Sequence, residues 1–138
     1  MGTDSHIDIR RTVTGAASLP YEAIARHILG SSYSLSLTLC GDALARRMYR
    51  RYREPALALK EPRTTYASNV LSFPYTKDEG EIFLNVRKAE REARRLGIPV
   101  KQRVAFLLVH GCFHLKGHQH GDTMERLERN VLRKFSLL

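Results

Sequence analysis

An eleven-residue run in the C-terminal half, His110-Gly111-Cys112-Phe113-His114-Leu115-Lys116-Gly117-His118-Gln119-His120, constrains the fold more than any other stretch. His110 and His114 are four residues apart, so on a helix they lie one above the other on a single face. Gly117 suits the end of that helix and lets the chain turn back, which carries His120 toward the other two. Three imidazoles arriving from a helix and the turn after it can hold a zinc ion with one coordination position open. An open position marks a catalytic zinc site rather than a structural one. His118 continues the i, i+4 series and is the rival third ligand. Because Gly117 breaks the helix before it, the reading favours His120 and leaves His118 a hydrogen bond or a substrate contact. Cys112, two residues after His110, points to a different helix face.

The spacing H-x-x-x-H-x-x-G-x-x-H is that of the metzincin metalloprotease signature, with one change: Gly111 stands where the glutamate general base belongs. A peptidase uses that carboxylate to take a proton from the zinc-bound water and deliver it to the leaving amine. Without it, the metal site survives but the usual peptidase mechanism does not. The search therefore turns to a different electrophile.

Charge narrows it. With 23 Lys+Arg against 14 Asp+Glu, the formal net charge is +9, and a small basic domain of this kind is drawn to polyanions, nucleic acid or an anionic membrane surface. The chain of 138 residues is expected to form one domain, 1–138, large enough for a real core. No stretch approaches about 18 consecutive apolar residues, and Met1 to Arg11 is polar and lacks a signal-peptide core, so a cytoplasmic location without a membrane partner is the expectation. Cys40 and Cys112 make no disulfide framework and read as small buried hydrophobes in a reducing compartment.

Along the chain, Ile7 to Val13 reads as a first strand, and Ile24 and Ile28 between Pro20 and Gly30 as a helix. Tyr33, Leu35, Leu37 and Leu39 alternate with Ser34, Ser36 and Thr38, the period of a half-exposed strand. Asp42 is placed as the cap of a second helix whose buried side carries Leu44, Met48 and Tyr52. Asn69 to Phe73, stopped by Pro74, and Glu81 to Val86 read as antiparallel neighbours. Helices follow over Lys88–Leu96 (ending at Gly97), Val100–Lys116, and from Asp122, where Glu125 suggests a capping box and Met124, Leu127, Val131 and Phe135 form the buried stripe. The expected fold is α+β: a small mixed sheet of about four strands with about five packed helices, and the zinc site at the end of a buried helix.

Arg46, Arg47, Arg50, Arg51 and Arg53 crowd the second helix with only Asp42 and Glu54 nearby, so phosphate contact competes evenly with simple solvation. On the Lys88–Leu96 helix the basic residues alternate with Glu90 and Glu92, and pairing within the helix is the better reading.

Taken together, the chain resembles the YbeY family of metal-dependent endoribonucleases. The family's H-G-x-L-H-L-x-G-x-D-H is similar to residues 110–120; its Thr/Ser-Asn/Asp-Val-Leu-Ser-Phe-Pro strand to Ser68-Asn69-Val70-Leu71-Ser72-Phe73-Pro74; its Gly-Asp/Glu-Ile strand to Gly80-Glu81-Ile82. Gly41-Asp42, Tyr52-Arg53, Met124-Glu125 and Glu128 stand where the family carries such residues, so the match runs from about Leu35 to the end. The resemblance implies zinc on His110, His114 and His120, with Arg53 facing the scissile phosphate. Ser72 and Phe73 would line the cleft, and Arg50, Arg51 and His118 would help to bind substrate. It implies single-strand-specific cleavage in ribosomal RNA maturation, at the 3′ end of 16S rRNA, and in ribosome quality control. Its partners would be small-subunit precursors, a ribosomal protein and an Era-type GTPase.

There are departures. Gln119 replaces the aspartate usual before the third histidine, removing a carboxylate that would orient the metal ligands. The link from Glu54 to Ser68 is longer than usual, which makes Arg51 and Arg63 rivals of Arg53. Two other functions compete: a non-catalytic RNA-binding ribosome assembly factor with a structural zinc, and a metallopeptidase drawing its base from Glu79 or Glu81.

Overall fold

The structure, a computed structural model, describes residues 6–60 and 65–138. Its sheet has four strands in the order β1-β2-β4-β3: β1 (His6–Arg11), β2 (Ser34–Cys40), β3 (Val70–Thr76) and β4 (Glu79–Asn85). β1, β2 and β4 are mutually parallel, and β3 runs antiparallel to β4. Helix α1 (Tyr21–Leu29) makes the crossover between β1 and β2. After β2 come α2 (Asp42–Met48), a π-helical turn (Tyr49–Arg53) and the short α3 (Glu54–Leu57). α4 (Val86–Leu96), α5 (Val100–Leu115) and α6 (Asp122–Lys134) complete the chain, an α+β fold with helices on a mixed sheet.

Strand alternation divides the apolar residues between two faces. Leu35, Leu37 and Leu39 of β2, with Ile82 and Leu84 of β4, join the large core beneath α1, α5 and α6. Cys40, Leu71 and Phe83 point the other way, into a smaller core with Ala45 and Tyr49. The register places Leu37 beside Ile82 and Leu39 beside Leu84, so the two central strands present one continuous apolar ridge to α5. β2 is therefore an interior strand, not half-exposed. Thr38 is buried too, because α2 and the π turn cover the face that the serine–threonine alternation assigned to solvent.

Several other expectations are corrected. β3 continues through Pro74 to Thr76, since a proline is tolerated on an edge strand and the register shifts there between Pro74 and Thr76. Gly41 rather than Asp42 caps α2, and Ala45 and Tyr49 are its buried positions, while Tyr52 is exposed. Gly121 precedes α6 with no side-chain cap, so the Asp122–Glu125 capping box does not form. α6 buries Met124, Val131, Leu132 and Glu128, with Leu127 and Phe135 only partly covered. On α4, only Arg87–Glu90 pairs within the helix; Arg91 reaches Asp42 and Glu92 reaches Arg103.

Asp42 has a different task. It takes a bidentate pair of bonds from Arg91, 2.9 and 2.8 Å, and a third from the fully buried Asn85 at 2.9 Å. Asn85 also donates to the Ser68 carbonyl and caps α4 by accepting from the Lys88 amide at 3.1 Å. This polar knot ties α2 and α4 to the sheet end from which the site loops emerge.

The Arg91 bonds, helped by Asn85, hold the Asp42 carboxyl down at about 2 against an ordinary 3.8. A lowered folded-state pKa adds stability above the unfolded value and loses it as pH falls through the folded one. Asp42→Asn is thus expected to cost about 1 kcal/mol above pH 5, after allowance for solvent screening at this partly exposed pair. The gap should close as the pH approaches 2, checked by urea unfolding across that range.

Candidate metal centre

α5 supplies the first two functional side chains. His110 and His114 stand one turn apart, and their Nε2 atoms are 3.0 Å from each other. The helix stops at Leu115, Gly117 takes a φ of +88°, and the chain folds back to bring His120 to the pair. Ring centroids are then 4.5 Å (His110–His114), 4.9 Å (His110–His120) and 4.7 Å (His114–His120). One nitrogen from each lies within 4.8 Å of the others, a group able to hold a metal ion. Tetrahedral nitrogens bonded at about 2.0–2.1 Å to zinc sit roughly 3.3 Å apart, so a slight opening of the 3.0 Å His110–His114 pair and an adjustment of His120 would accommodate it.

The other ring nitrogens decide which atoms face the ion. His110 Nδ1 lies 2.6 Å from Glu128 Oε2, and His114 Nδ1 donates to the His118 carbonyl at 3.1 Å. Both leave Nε2 free as ligand in the correct tautomer. Burial pushes the His114 pKa down, His110, His120 and Arg53 add to this, and the bond to His118 opposes it. A neutral imidazole is the form that binds metal. His118 thus serves through its backbone, while its ring packs edge-on against Phe113 at 5.4 Å. Cys112 is fully buried, with burial raising its thiol to about 12, and its sulfur is not part of the three-histidine group.

A cleft of about 710 Å³ opens over the three histidines. Its walls include Ser72 and Pro74 of β3, Tyr49 and Arg53 of the π turn, and Arg103, Phe106 and Leu107 of α5. Arg53 lies four residues after Tyr49, which turns it to the cleft, and its Nη2 donates to the Ser72 carbonyl at 3.1 Å. Its guanidinium stands 5.7 Å from the Phe73 ring. Arg50 and Arg51 do not line this cleft; they form a separate shallow depression with Ala43, Arg46 and Arg47. Arg63 lies outside the described residues.

Gly111 has a steric explanation. A Cβ there would stand 3.0 Å from Ser72 Oγ, 3.2 Å from Val70 Cγ2 and 3.3 Å from Ile82 Cδ1. Ser72 Oγ instead donates to the Gly111 carbonyl at 3.1 Å. The position of the peptidase glutamate faces the sheet here, where even a Cβ would need Ser72, Val70 and Ile82 to give by a few tenths of an ångström. Glu79 and Glu81, the alternative bases, do not reach the site; Glu81 is engaged by Tyr75 at 2.6 Å on the exposed end of the sheet.

Two residues escaped the sequence reading. Glu128 was noted only for its place in α6, yet an acid within the Met124–Val131–Leu132 stripe is a signal of a buried partner. Arg103 sits seven residues before His110, on the same helix face, and that spacing would have found it.

Fold and site together define a small α+β protein with a three-histidine cluster, suited to a metal ion, at the bottom of a basic cleft. The family described as Endoribonuclease YbeY matches residues 5–136, and the chain belongs to that family. Among its relatives, Endoribonuclease YbeY of Aromatoleum aromaticum is 37% identical over 106 residues, covering 71% of this chain and 63% of the relative. That of Methylocella silvestris is 32% identical, covering 79% and 63%. That of Alkalilimnicola ehrlichii is 31% identical over 140 residues, covering 91% and 84%. The chain thus spans just under two thirds of the length of the first two, 63% in each case. The solution structure of TM1509 from Thermotoga maritima shares the fold, with a TM-score of 0.68 at 17% identity over 94% of this chain and 88% of that one.

Two substitutions probe the geometry. Gly111→Glu is expected to lower the unfolding free energy by about 2–3 kcal/mol through overpacking against β3, measured in urea, and to confer no peptide hydrolysis. Glu128→Gln should weaken metal binding by about 10- to 100-fold, measured by competition with a chromogenic chelator.

Proposed function

We propose that this protein is a zinc-dependent endoribonuclease that cuts single-stranded RNA during ribosomal RNA maturation. The observation that carries the reading is one cleft holding both a three-histidine cluster able to bind a metal ion and the Arg53 guanidinium. The YbeY relatives, named endoribonucleases, support it.

His110, His114 and His120 would hold the ion, with Glu128 and the His118 carbonyl orienting the first two. When bound, zinc would supply Lewis acidity and a source of hydroxide near neutral pH. Arg53 does the rest of the electrostatic work. Its guanidinium, braced on the Ser72 carbonyl and the Phe73 ring, stabilises charge growing on the phosphoryl oxygens. Gly111 offers no carboxylate, so the proton taken up by the leaving ribose oxygen comes from solvent rather than from position 111.

The exposed arginines have a complementary role outside the cleft. Arg46, Arg47, Arg50 and Arg51 share one surface of α2 and the turn that ends at Arg53, so they track the RNA backbone toward the site. The substrate is ribosomal RNA within small-subunit precursors, cut near the 3′ end of 16S rRNA, with a part in ribosome quality control. A ribosomal protein and an Era-type GTPase are the proposed partners, and the cytoplasm the proposed location. Among the described residues no helix is long and apolar enough to cross a membrane.

Incubation with precursor ribosomal RNA, with cut ends mapped beside a His110→Ala control, tests the reading directly. Chelation should abolish cleavage and zinc restore it, and Arg53→Ala should lower kcat by about 100-fold or more. Full activity in His114→Ala would sink the proposal. RNA binding without any cleavage would leave a non-catalytic assembly factor. In the Arg47→Gln/Arg50→Gln double variant, the slope of log affinity against log salt should fall by about 0.7 per lost arginine contact on single-stranded RNA.

A further inference from the structure

Arg103 projects from the first turn of α5 into the same cleft as the histidines and Arg53. Its Nε donates to Glu92 Oε1 at 3.0 Å, and its guanidinium lies 5.0 Å from the centre of the Phe106 ring. Phe106 in turn stacks on His110, with centroids 5.5 Å apart and planes at 28°. Arg103, Phe106 and His110 thus form a ladder of planar groups along one face of α5.

The plain alternative is an ion pair that only closes the interface between α4 and α5. Three observations weigh against it. The Arg103 side chain is 19% exposed while Glu92 is only 8% exposed, so the pair opens on its arginine side, toward the cleft. Only Nε is engaged; among the described residues the two terminal nitrogens make no hydrogen bond. Glu92 also has a second partner, Asn69 Nδ2 at 3.3–3.4 Å. Glu92 and Phe106 therefore hold the guanidinium in orientation and leave most of its donors available.

We propose that Arg103 is a substrate-contacting residue whose guanidinium binds the nucleotide next to the scissile phosphate in single-stranded RNA, with Glu92 as its positioning residue. The proposal rests on the ribonuclease reading above. Seven residues at a rise of about 1.5 Å put Arg103 roughly 10 Å along the helix from His110. That is too far to share the scissile phosphate but suited to its neighbour. A planar fork fits both available targets, since guanidinium groups pair with phosphate oxygens and stack on unpaired bases. Its contribution belongs to binding, whereas that of Arg53 belongs to the reacting phosphate.

The test uses the full chain loaded with zinc and a fluorescein-labelled single-stranded oligoribonucleotide. Kd is read by anisotropy, and kcat and KM by cleavage, with thermal melting to establish that each variant is folded. Arg103→Gln is expected to raise Kd and KM about tenfold, the scale of a lost hydrogen bond to a charged group, while kcat stays within about twofold. Arg103→Lys keeps the charge without the fork and should recover only part of that loss. Glu92→Gln should raise KM less, and add nothing in the Arg103→Gln background. Wild-type Kd and KM in folded Arg103→Gln and Arg103→Lys would overturn the proposal, as would a fall in kcat alone. If Arg103→Gln does not fold, Arg103→Lys decides by the same criterion. A wild-type protein that neither binds nor cuts the RNA would overturn the ribonuclease reading itself, an outcome distinct from an insensitive Arg103.

Discussion

The contact between Gly111 and Ser72 locates everything else in the site. α5 approaches β3 so closely that a methyl group at position 111 would press on Ser72, Val70 and Ile82 together. In that space Ser72 makes two bonds: its hydroxyl donates to the Gly111 carbonyl, and its own carbonyl accepts from Arg53. The histidine face of α5 and the guanidinium of the π turn are therefore both referenced to one strand residue. Groups that share one site must keep their separation to within about half an ångström, and elements of regular structure hold such tolerances better than loops.

Around this joint, the buried acids orient rather than neutralise. Glu128 from α6 meets His110, and Glu92 from α4 meets Arg103. Each fixes one cleft residue from behind and is itself almost wholly enclosed. The groups turned toward the cleft are imidazoles and guanidinium groups, with no carboxylate among the described residues that line it, which suits a polyanionic ligand. On the outside, the four arginines beside Ala43 extend the same positive field without sharing the site's geometry.

Local spacing made half of this visible in the sequence. The histidines could be read because i, i+4 stacking and a glycine turn are short-range rules, and the meeting of His110, His114 and His120 needs little else. Arg53 was harder, since its direction depends on the wide turn before Pro55 and on β3, far off in sequence. The roles of Glu92, Glu128 and Asp42 lie beyond local rules, because each acid meets a residue of another helix: Arg103, His110 and Arg91. In Asp42 a strong local signal, the capping preference of aspartate, lost to a bidentate arginine and a buried asparagine. Pro74 failed for a comparable reason: a proline ends most strands, but the edge of this sheet asks no ladder bond of it.

The three imidazoles are not equally supported, and this bears on Gln119. His110 has a buried carboxylate behind it and His114 a backbone carbonyl, whereas His120 is exposed and has no hydrogen-bond partner among the described residues. Its ring is placed by the fold-back after Gly117 and by the two histidines it meets. Orienting partners raise ligand basicity and fix the ring, so the ligand without one is where affinity is most easily lost. Gln119, exposed beside it in sequence, is an uncharged residue and brings no carboxylate to this arm. Of the three imidazoles, His120 is therefore the one whose place in the cluster rests on the backbone turn after Gly117 rather than on a partner behind its ring.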